Sequence, residues 1–242
     1  MRRLQFLGYE LTALIGPNDS TSQKFETLNR FFFDIKEFAV PLEPSFHDPL
    51  SLHLLNRVLN NRIGASRTLA MVYRYLGEQI GLKFEFVDLQ PNCYLKHVEN
   101  GLSKFVDFSR RGESLTSDEL LKTLQSRAQT TSEVASLCES VGADHFVVEY
   151  LLVLKSAFQN RSNVEPLLMV QNWILEYQPS NMVVIGERAV LLNQLGHYRN
   201  AFADLKRYFS FADRAAAPKE LVALFDELSR KLAPKIAEPI LH

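Results

Sequence analysis

The segment from Leu54 to Phe108 constrains the fold more than any other part of the chain. Apolar residues recur at helical spacing around Gly64 and predict helices at about 50–62 and 66–81, with Gly64 as the left-handed end of the first. Three strand-like segments bounded by turn residues follow: 82–89, 93–98 and 104–108. Helices followed by a small antiparallel sheet indicate an α+β domain.

Two more helices are predicted before this segment. Residues 3–15 carry apolar side chains at helical spacing, and Gly16 and Pro17 end this helix. A second helix is predicted from an N-cap at Ser22. Its three consecutive phenylalanines, Phe31-Phe32-Phe33, exceed what a single helix face can bury. We therefore expect this helix to lie between two layers of the domain.

From Ser117 onward the sequence predicts only helices. They are expected at 117–125, 131–141, 144–160, 164–177, 182–195, 198–210 and 217–231. Leu195-Gly196-His197-Tyr198, followed by Ala201 and Leu205, is typical of the turn and second helix of a tetratricopeptide-like unit, in which a small residue lets two helices cross closely. The repeat period of about 34 residues then places a degenerate helix pair at 148–179, and the last helix would cap the array.

Charge and cysteine content exclude several classes of function. The 27 basic and 28 acidic residues nearly cancel, so the charge excess of a general nucleic-acid or anionic-membrane binder is missing. Cys93 and Cys138 have no close partner in sequence, which argues against a disulfide framework and indicates a reducing compartment. We find neither a signal-peptide pattern nor an apolar run of about 18 residues, and therefore expect a cytoplasmic protein.

Two sets of motifs resemble a known family. The first set is Leu28-Asn29-Arg30-Phe31-Phe32-Phe33, Leu55-x-x-Val58-Leu59-x-x-Arg62-x-Gly64, Thr68-Leu69-Ala70 and Val106-Asp107-Phe108. The second set is Glu187-Arg188-Ala189-Val190-Leu191, Gln194-Leu195-Gly196 and Ala203-Asp204-Leu205-x-x-Tyr208. In order and spacing, over roughly residues 22–212, they resemble the SirB1 family of bacterial proteins. Members of that family join a transglutaminase-like domain to a tetratricopeptide-like tail.

The resemblance implies three site positions. A transglutaminase-like enzyme needs a thiolate at a helix N-terminus, a histidine on an adjacent strand and an aspartate on the next strand to orient the ring. At these positions the chain has Ser66, Cys93 and Asp107. A serine without a base is a weak nucleophile near neutral pH, and Cys93 lacks an imidazole partner. We therefore expect a degenerate site without catalysis.

Each of the three residues has a structural interpretation. Ser66 is expected to act as a helix N-cap, Cys93 as a small apolar filler in a buried strand, and Asp107 as a cap or turn acceptor at a strand end. The three side chains could still face one another as a vestigial pocket. No cofactor is expected, and the six histidines show no metal-binding spacing.

One alternative keeps the chain an enzyme. On the same core, Cys93 could serve a cysteine-dependent acyl transferase or peptidase-like enzyme in a swapped arrangement. His97 lies on the same strand face, but four residues of strand place it about 13 Å from Cys93, beyond reach of Ser66. Cys138 has no plausible base near it in sequence.

The helical tail is the predicted site of partner contact. Helix-pair repeats bury one face and present a concave one, often to peptides. Arg188 and Asp204 lie on successive predicted helices, where they form either an ion pair within the repeat or a contact with a partner. The aromatic side chains of the tail are expected to be buried: Trp173, Tyr177, Phe202, Tyr208 and Phe211.

These observations predict three parts. A degenerate transglutaminase-like α+β domain occupies 1–125, with its core at 22–125; a connecting helix spans 126–143; and an all-α tetratricopeptide-like domain spans 144–242. The expected function is that of a pseudoenzyme, a non-catalytic interaction or scaffold protein. Its vestigial cleft or helical groove would bind a protein or peptide rather than nucleic acid or membrane, and the sequence leaves the oligomeric state open.

Overall fold

The protein divides into two compact units, Met1–Leu154 and Lys155–His242. The computed structural model describes residues 2–43, 48–90, 92–99, 101–125, 138–161 and 164–233. Helices and a four-stranded antiparallel sheet form the first unit, and helices form the second, which confirms the α+β prediction. The predicted division at 125 and 143 stays a prediction, and the helix expected at 131–141 falls mostly outside the described residues.

The helices of the first unit follow its predicted pattern with local changes. Their bounds are α1 (Arg2–Thr12), α2 (Thr21–Asn29), α3 (Pro49–His53), α4 (Leu55–Asn61), α5 (Ser66–Gln79), α6 (Ser117–Gln125) and the first part of α7 (Ala143–Gln159). The N-cap of α2 is Ser20 rather than Ser22, because Ser20 and Gln23 form a reciprocal capping box. Ser22 therefore lies within the first turn of the helix.

A π-helical turn at Arg30–Ile35 follows α2 and accommodates the three phenylalanines. Phe31, Phe32 and Phe33 are all buried, and the ring of Phe32 stacks on Phe38 with 4.4 Å between centroids. A π-helical turn holds more residues than an α-helical turn, so more consecutive side chains can point inward. A local change of helix type thus allows all three phenylalanines to be buried, which a single α-helical face could not do.

The helix predicted at 50–62 is divided at Leu54. This residue has an extended backbone, with φ −75° and ψ 114°, and separates α3 from α4. The left-handed end of α4 is Arg62, with φ 64°, so the assignment of that role to Gly64 was wrong. Gly64 is needed for space instead, since a Cβ there would lie 2.7 Å from a methyl group of Val58.

The sheet is a meander in the order β1-β2-β3-β4. Its strands are β1 (Glu85–Leu89), β2 (Asn92–Glu99), β3 (Leu102–Asp107) and β4 (Glu113–Thr116). One face, which includes Cys93 and Leu95, joins the main core with α5. The opposite face, which includes Tyr94 and Phe105, packs with α6 in a second cluster. The sequence did not predict β4, whose four residues contain one buried side chain.

The helices of the second unit agree with their predicted bounds to within two residues. The end of α7 is followed by α8 (Val164–Tyr177), α9 (Met182–Gln194), α10 (Tyr198–Phe211) and α11 (Lys219–Leu232). Gly196 lies between α9 and α10 with φ 77°, a conformation that glycine adopts without strain. Ala189, Ala201 and Leu205 are fully buried in the core of this unit. Within the described part of the chain, we find no helix with the length and apolar character needed to cross a membrane.

Candidate functional site

The first turn of α5 meets strand β2 through a single buried hydrogen bond. The backbone amide of Cys93 donates to the Ser66 Oγ at 3.0 Å, and both residues are buried. Ser66 is the first residue of α5, whereas the N-cap is Ala65, so the expected N-cap role of Ser66 was wrong. The serine hydroxyl joins the helix to the sheet instead of capping the helix.

The environment of Cys93 opposes thiolate formation. Only 1% of the residue is exposed, and its Sγ lies 3.6 Å from the carbonyl oxygen of Tyr94. Burial raises the pKa of the Cys93 thiol far above its ordinary value, and nearby Asp88 raises it further, while Arg67 acts in the opposite direction. The thiolate is the nucleophilic form of cysteine, so Cys93 is a buried and unactivated side chain, as expected.

Asp107 lies on the other face of the sheet. It pairs with Tyr94 across β2 and β3, and the side chains of Cys93 and Tyr94 point to opposite faces because they are neighbours on one strand. The carboxylate of Asp107 accepts a hydrogen bond from the Ser109 amide at 2.8 Å, which confirms the turn-acceptor role. The structure therefore brings Ser66 and Cys93 together and separates Asp107 from them, so the three do not form a common pocket.

A buried ion pair that the sequence did not reveal lies beside Ser66 and Cys93. Arg67 Nη2 binds the two carboxylate oxygens of Asp88 at 2.6 and 2.7 Å. The two side chains are only 6% and 5% exposed. Asp88 pairs with Cys93 across β1 and β2 and thus shares its sheet face. The available signal was a lone carboxylate in the apolar strand Phe86-Val87-Asp88-Leu89.

His53 is a second missed residue near the start of α5. It ends α3, and the Ala65 amide donates to the carbonyl oxygen of the preceding residue, Leu52, at 3.0 Å. Burial, and secondly the charge of Arg67, lower the pKa of His53 below its ordinary value. The buried Nδ1 of His53 has no hydrogen-bond partner among the described residues. Its spacing from the other histidines gave no signal, because only the fold brings it here.

This arrangement offers packing and ion pairing rather than an activated nucleophile. The Ser66 oxygen already accepts a hydrogen bond from the backbone amide of Cys93. The raised pKa of the Cys93 thiol keeps it protonated at neutral pH. In the described ranges no three His, Cys, Asp or Glu side chains are grouped as a metal site.

The helical unit contains the ion pair expected from its sequence. Arg188 donates from Nε and Nη2 to the two carboxylate oxygens of Asp204 at 2.8 and 2.7 Å. Arg188 Nη1 also donates to Asn172 at 2.8 Å, so one guanidinium joins α8, α9 and α10. These residues line a groove of about 400 Å³, together with His197 and Asn200. Of the two expected roles, the structure shows an ion pair between successive helices.

The expected burial of the tail aromatics was partly wrong. Trp173, Tyr177 and Phe211 are 42%, 47% and 66% exposed, while Phe202 and Tyr208 pack against the core of the helical unit. Met169, also exposed, precedes Trp173 by four residues on α8, and Tyr177 follows by four. Residues four apart share a helix face, so Met169, Trp173 and Tyr177 form an exposed α8 stripe. The opposite face of α8 carries the buried residues of this helix. Apolar content alone does not show which of its two faces is buried.

Comparison with known proteins identifies similarity over most of the chain. A family model described as the transglutaminase-like superfamily matches residues 1–146. A "UPF0162 protein" of Xylella fastidiosa is 24% identical over 191 residues, and the match covers 76% of this chain. The chain covers 66% of the length of that relative, slightly less than two thirds.

Proposed function

Because this chain belongs to the transglutaminase-like superfamily, we propose that it is a pseudoenzyme of that fold which acts by binding another protein or peptide. The observation that carries this proposal is the hydrogen bond from the Cys93 amide to the Ser66 hydroxyl. Family resemblance assigns the catalytic thiol to the position of Ser66, at a helix N-terminus where a thiolate is stabilised. In this chain the group at that position is a buried acceptor that supports β2.

The environment of Cys93 also supports a non-catalytic role. A cysteine-dependent acyl transferase would need the thiol to be accessible and to ionise near neutral pH. Cys93 is buried, and the adjacent carboxylate of Asp88 disfavours a second negative charge. Exposing the thiol would require the packing between β2 and α5 to open, because Cys93 lies in the main core and its amide is bound to Ser66.

The exposed α8 stripe supports the binding part of the proposal. Met169, Trp173 and Tyr177 present large apolar side chains to solvent on one helix face. Tryptophan and tyrosine contribute strongly to binding energy at protein interfaces, because they combine large apolar area with a polar group. We infer that this stripe is where a partner protein binds.

We propose further that the chain is a bacterial, cytoplasmic protein of SirB1 type whose helical unit is tetratricopeptide-like. The short turn at Gly196 and the fully buried Ala201 and Leu205 support the repeat assignment. The bacterial relative supports the source. Two free cysteines, Cys93 and Cys138, agree with a reducing compartment.

The decisive experiment is labelling of the native protein with a small electrophilic thiol probe across pH, with Cys93→Ala and Cys138→Ala as single-site references. We expect Cys138 to react in the native state and Cys93 to react only as fast as the domain opens. Rapid labelling of Cys93 below the ordinary thiol pKa would reverse the proposal in favour of an enzyme. Amide hydrolysis or acyl transfer that depends on Ser66 or Cys93 would have the same meaning.

The partner surface is tested separately by quantitative capture of interacting proteins. Trp173→Ala/Tyr177→Ala is expected to lose the specific partner that the wild-type protein retains. Phe211→Ala is the matched control, because Phe211 is an exposed aromatic residue outside the stripe. Equal loss in the control, or full retention in the stripe variant, would remove the stripe as the binding surface.

A further inference from the structure

His97 is a buried histidine to which the proposed function gives no role. It lies in β2 on the face of the main core and is 5% exposed. Its ring stacks on Phe25 with 5.6 Å between centroids and packs against Phe84 at 5.3 Å. Its Nδ1 lies 3.3 Å from the carbonyl oxygen of Lys83. A carbonyl oxygen can only accept a hydrogen bond, so Nδ1 carries the proton in this contact. In the neutral ring, Nε2 is then the hydrogen-bond acceptor.

The Nε2 atom of His97 is buried and has no hydrogen-bond partner in the part of the chain that the structure describes. Leaving a buried polar atom unpaired is energetically unfavourable. Such atoms are uncommon in native proteins, where a bound ion, water or ligand often supplies the partner. Two aromatic rings hold the imidazole in place, so it cannot easily turn toward solvent.

His97 also forms part of the wall of a cleft of about 360 Å³ within the first unit. This volume lies near the lower end of the range for small-molecule sites. The other residues of the wall are Thr21, Gly81, Leu82, Lys83, Glu85, Lys96 and Val98. The cleft therefore combines a buried imidazole with three charged side chains at one end of the sheet.

The charges around this cleft favour an anion. Two lysines, Lys83 and Lys96, face one carboxylate, and the Lys96–Glu85 pair is loose at 3.7 Å. Thr21 is the first residue of α2, whose N-terminal end carries partial positive charge. The capping box engages the amides of Ser20 and Gln23, and the first amides of a helix have no partner within it. The N-terminus of α2 and the two lysines thus contribute positive charge to the same cleft.

We propose that the His97 cleft binds a small metabolite that carries a phosphate or carboxylate group and a hydroxyl or amino donor. The anionic group contacts Lys83, Lys96 and the start of α2. The donor supplies the hydrogen bond that His97 Nε2 lacks, and an amino group would also be attracted to Glu85. This site is separate from the Ser66–Cys93 contact and from the α8 stripe, so it can be correct even if the proposed partner binding is not.

The test uses the full-length protein labelled with ¹⁵N-histidine and observed by NMR, with the His97 signal assigned by its loss in His97→Phe. The probes are O-phospho-L-serine, L-serine and inorganic phosphate, with glycerol as the uncharged control. We expect a saturable shift of the His97 Nε2 signal with at least one charged probe and none with glycerol. Response to phospho-L-serine alone identifies a phosphate with a donor, whereas equal response to L-serine identifies a carboxylate.

Surface variants separate a built site from general ion binding. Lys83→Gln/Lys96→Gln is expected to weaken binding about tenfold, because two charges near the anion are lost. Lys122→Gln removes the same type of charge from an exposed position on α6 and should bind as the wild type does. The proposal is overturned if no probe shifts His97 up to tens of millimolar, or if the lysine variant and the control weaken binding equally.

Discussion

Two arginine–aspartate ion pairs lie in very different environments in this protein. The Arg67–Asp88 pair, in the first unit, has side chains only 6% and 5% exposed. The Arg188–Asp204 pair, in the helical unit, has side chains 18% and 9% exposed and lines a groove. Arg188 uses Nε, Nη1 and Nη2 as donors, whereas Arg67 Nε has no partner among the described residues. The chemistry is the same, but desolvation and the completeness of hydrogen bonding differ.

The degree of burial determines what each pair contributes to the structure. Family resemblance would place catalytic groups near Ser66 and Cys93. The chain instead has a buried ion pair there, in which each charge is the only counter-ion shown for the other among the described residues. Removing one partner of a buried pair is costly because the other charge stays buried, even when the intact pair contributes little net stability. In the groove, Arg188 joins three helices while remaining partly in contact with solvent. The first pair lies in the core of its unit, and the second joins three helices at the edge of a groove.

The largest effect is expected from Arg67→Met. It leaves Asp88 buried without its counter-ion, which should lower the free energy of unfolding by about 3–5 kcal/mol. Urea denaturation followed by far-UV circular dichroism measures this change. Arg74→Met is the control on the same helix, because its pair with Glu78 is 30% and 48% exposed, and such pairs contribute about 1 kcal/mol or less.

The double variant Arg67→Met/Asp88→Leu tests whether the cost comes from the unpaired charge. Removing both charges replaces the pair with apolar groups, so we expect much of the lost stability to return. If Arg67→Met is no more destabilising than Arg74→Met, the Arg67–Asp88 pair is not a buried and mutually dependent pair.

A smaller effect is expected from Asp204→Asn in the helical unit. The change removes a charged acceptor from Arg188, and hydrogen bonds to charged groups contribute about 1.5–3 kcal/mol. Trp173, the single tryptophan, lies next to Asn172 on α8, so its fluorescence during denaturation reports on this unit. Asp226→Asn is the control, since the side chains of Asp226 and its partner Arg214 are each 49% exposed. Equal destabilisation by the two variants would show that burial does not distinguish them.

The two pairs also show how far the sequence could predict this structure. Arg188 and Asp204 are 16 residues apart on successive helices, so helical periodicity and the repeat pattern placed them together. The Arg67–Asp88 pair depends on the register of β1 with β2 and on the packing of α5, which no local pattern contains. The same reason explains Asp107, because a shift of one residue in a strand moves a side chain to the opposite face.

Local backbone geometry was the other limit of prediction. Periodicity predicted the helices of both units, but it did not reveal the π-helical turn that buries Phe31, Phe32 and Phe33. The extended backbone at Leu54 and the left-handed conformation at Arg62 were equally hidden. Extended leucine is common and gives no sequence signal, whereas arginine rarely adopts a left-handed conformation. Tertiary packing imposes these conformations, and it also brings His53 to the start of α5.

The smallest predicted effect is a pH dependence of stability that originates at His53. Burial and the charge of Arg67 lower the pKa of His53 from its ordinary value of 6.5, so the folded state disfavours the protonated ring. As the pH falls through 6.5, the unfolded chain therefore takes up the proton first. Stability is complete above this pH and decreases below it. His53→Gln should flatten this part of the curve of urea midpoint against pH.

The same titration can separate the two causes at His53. In Arg67→Met/Asp88→Leu the arginine charge is absent while the ring stays buried, so the slope below pH 6.5 should be reduced but still present, because burial is the larger cause. His145→Gln serves as the control, since His145 is an exposed residue on α7 and its removal should leave the slope unchanged. An unchanged slope in His53→Gln would mean that another group governs this pH range. Complete loss of the slope in the double variant would show that the charge of Arg67, rather than burial, is the main cause of the lowered pKa of His53.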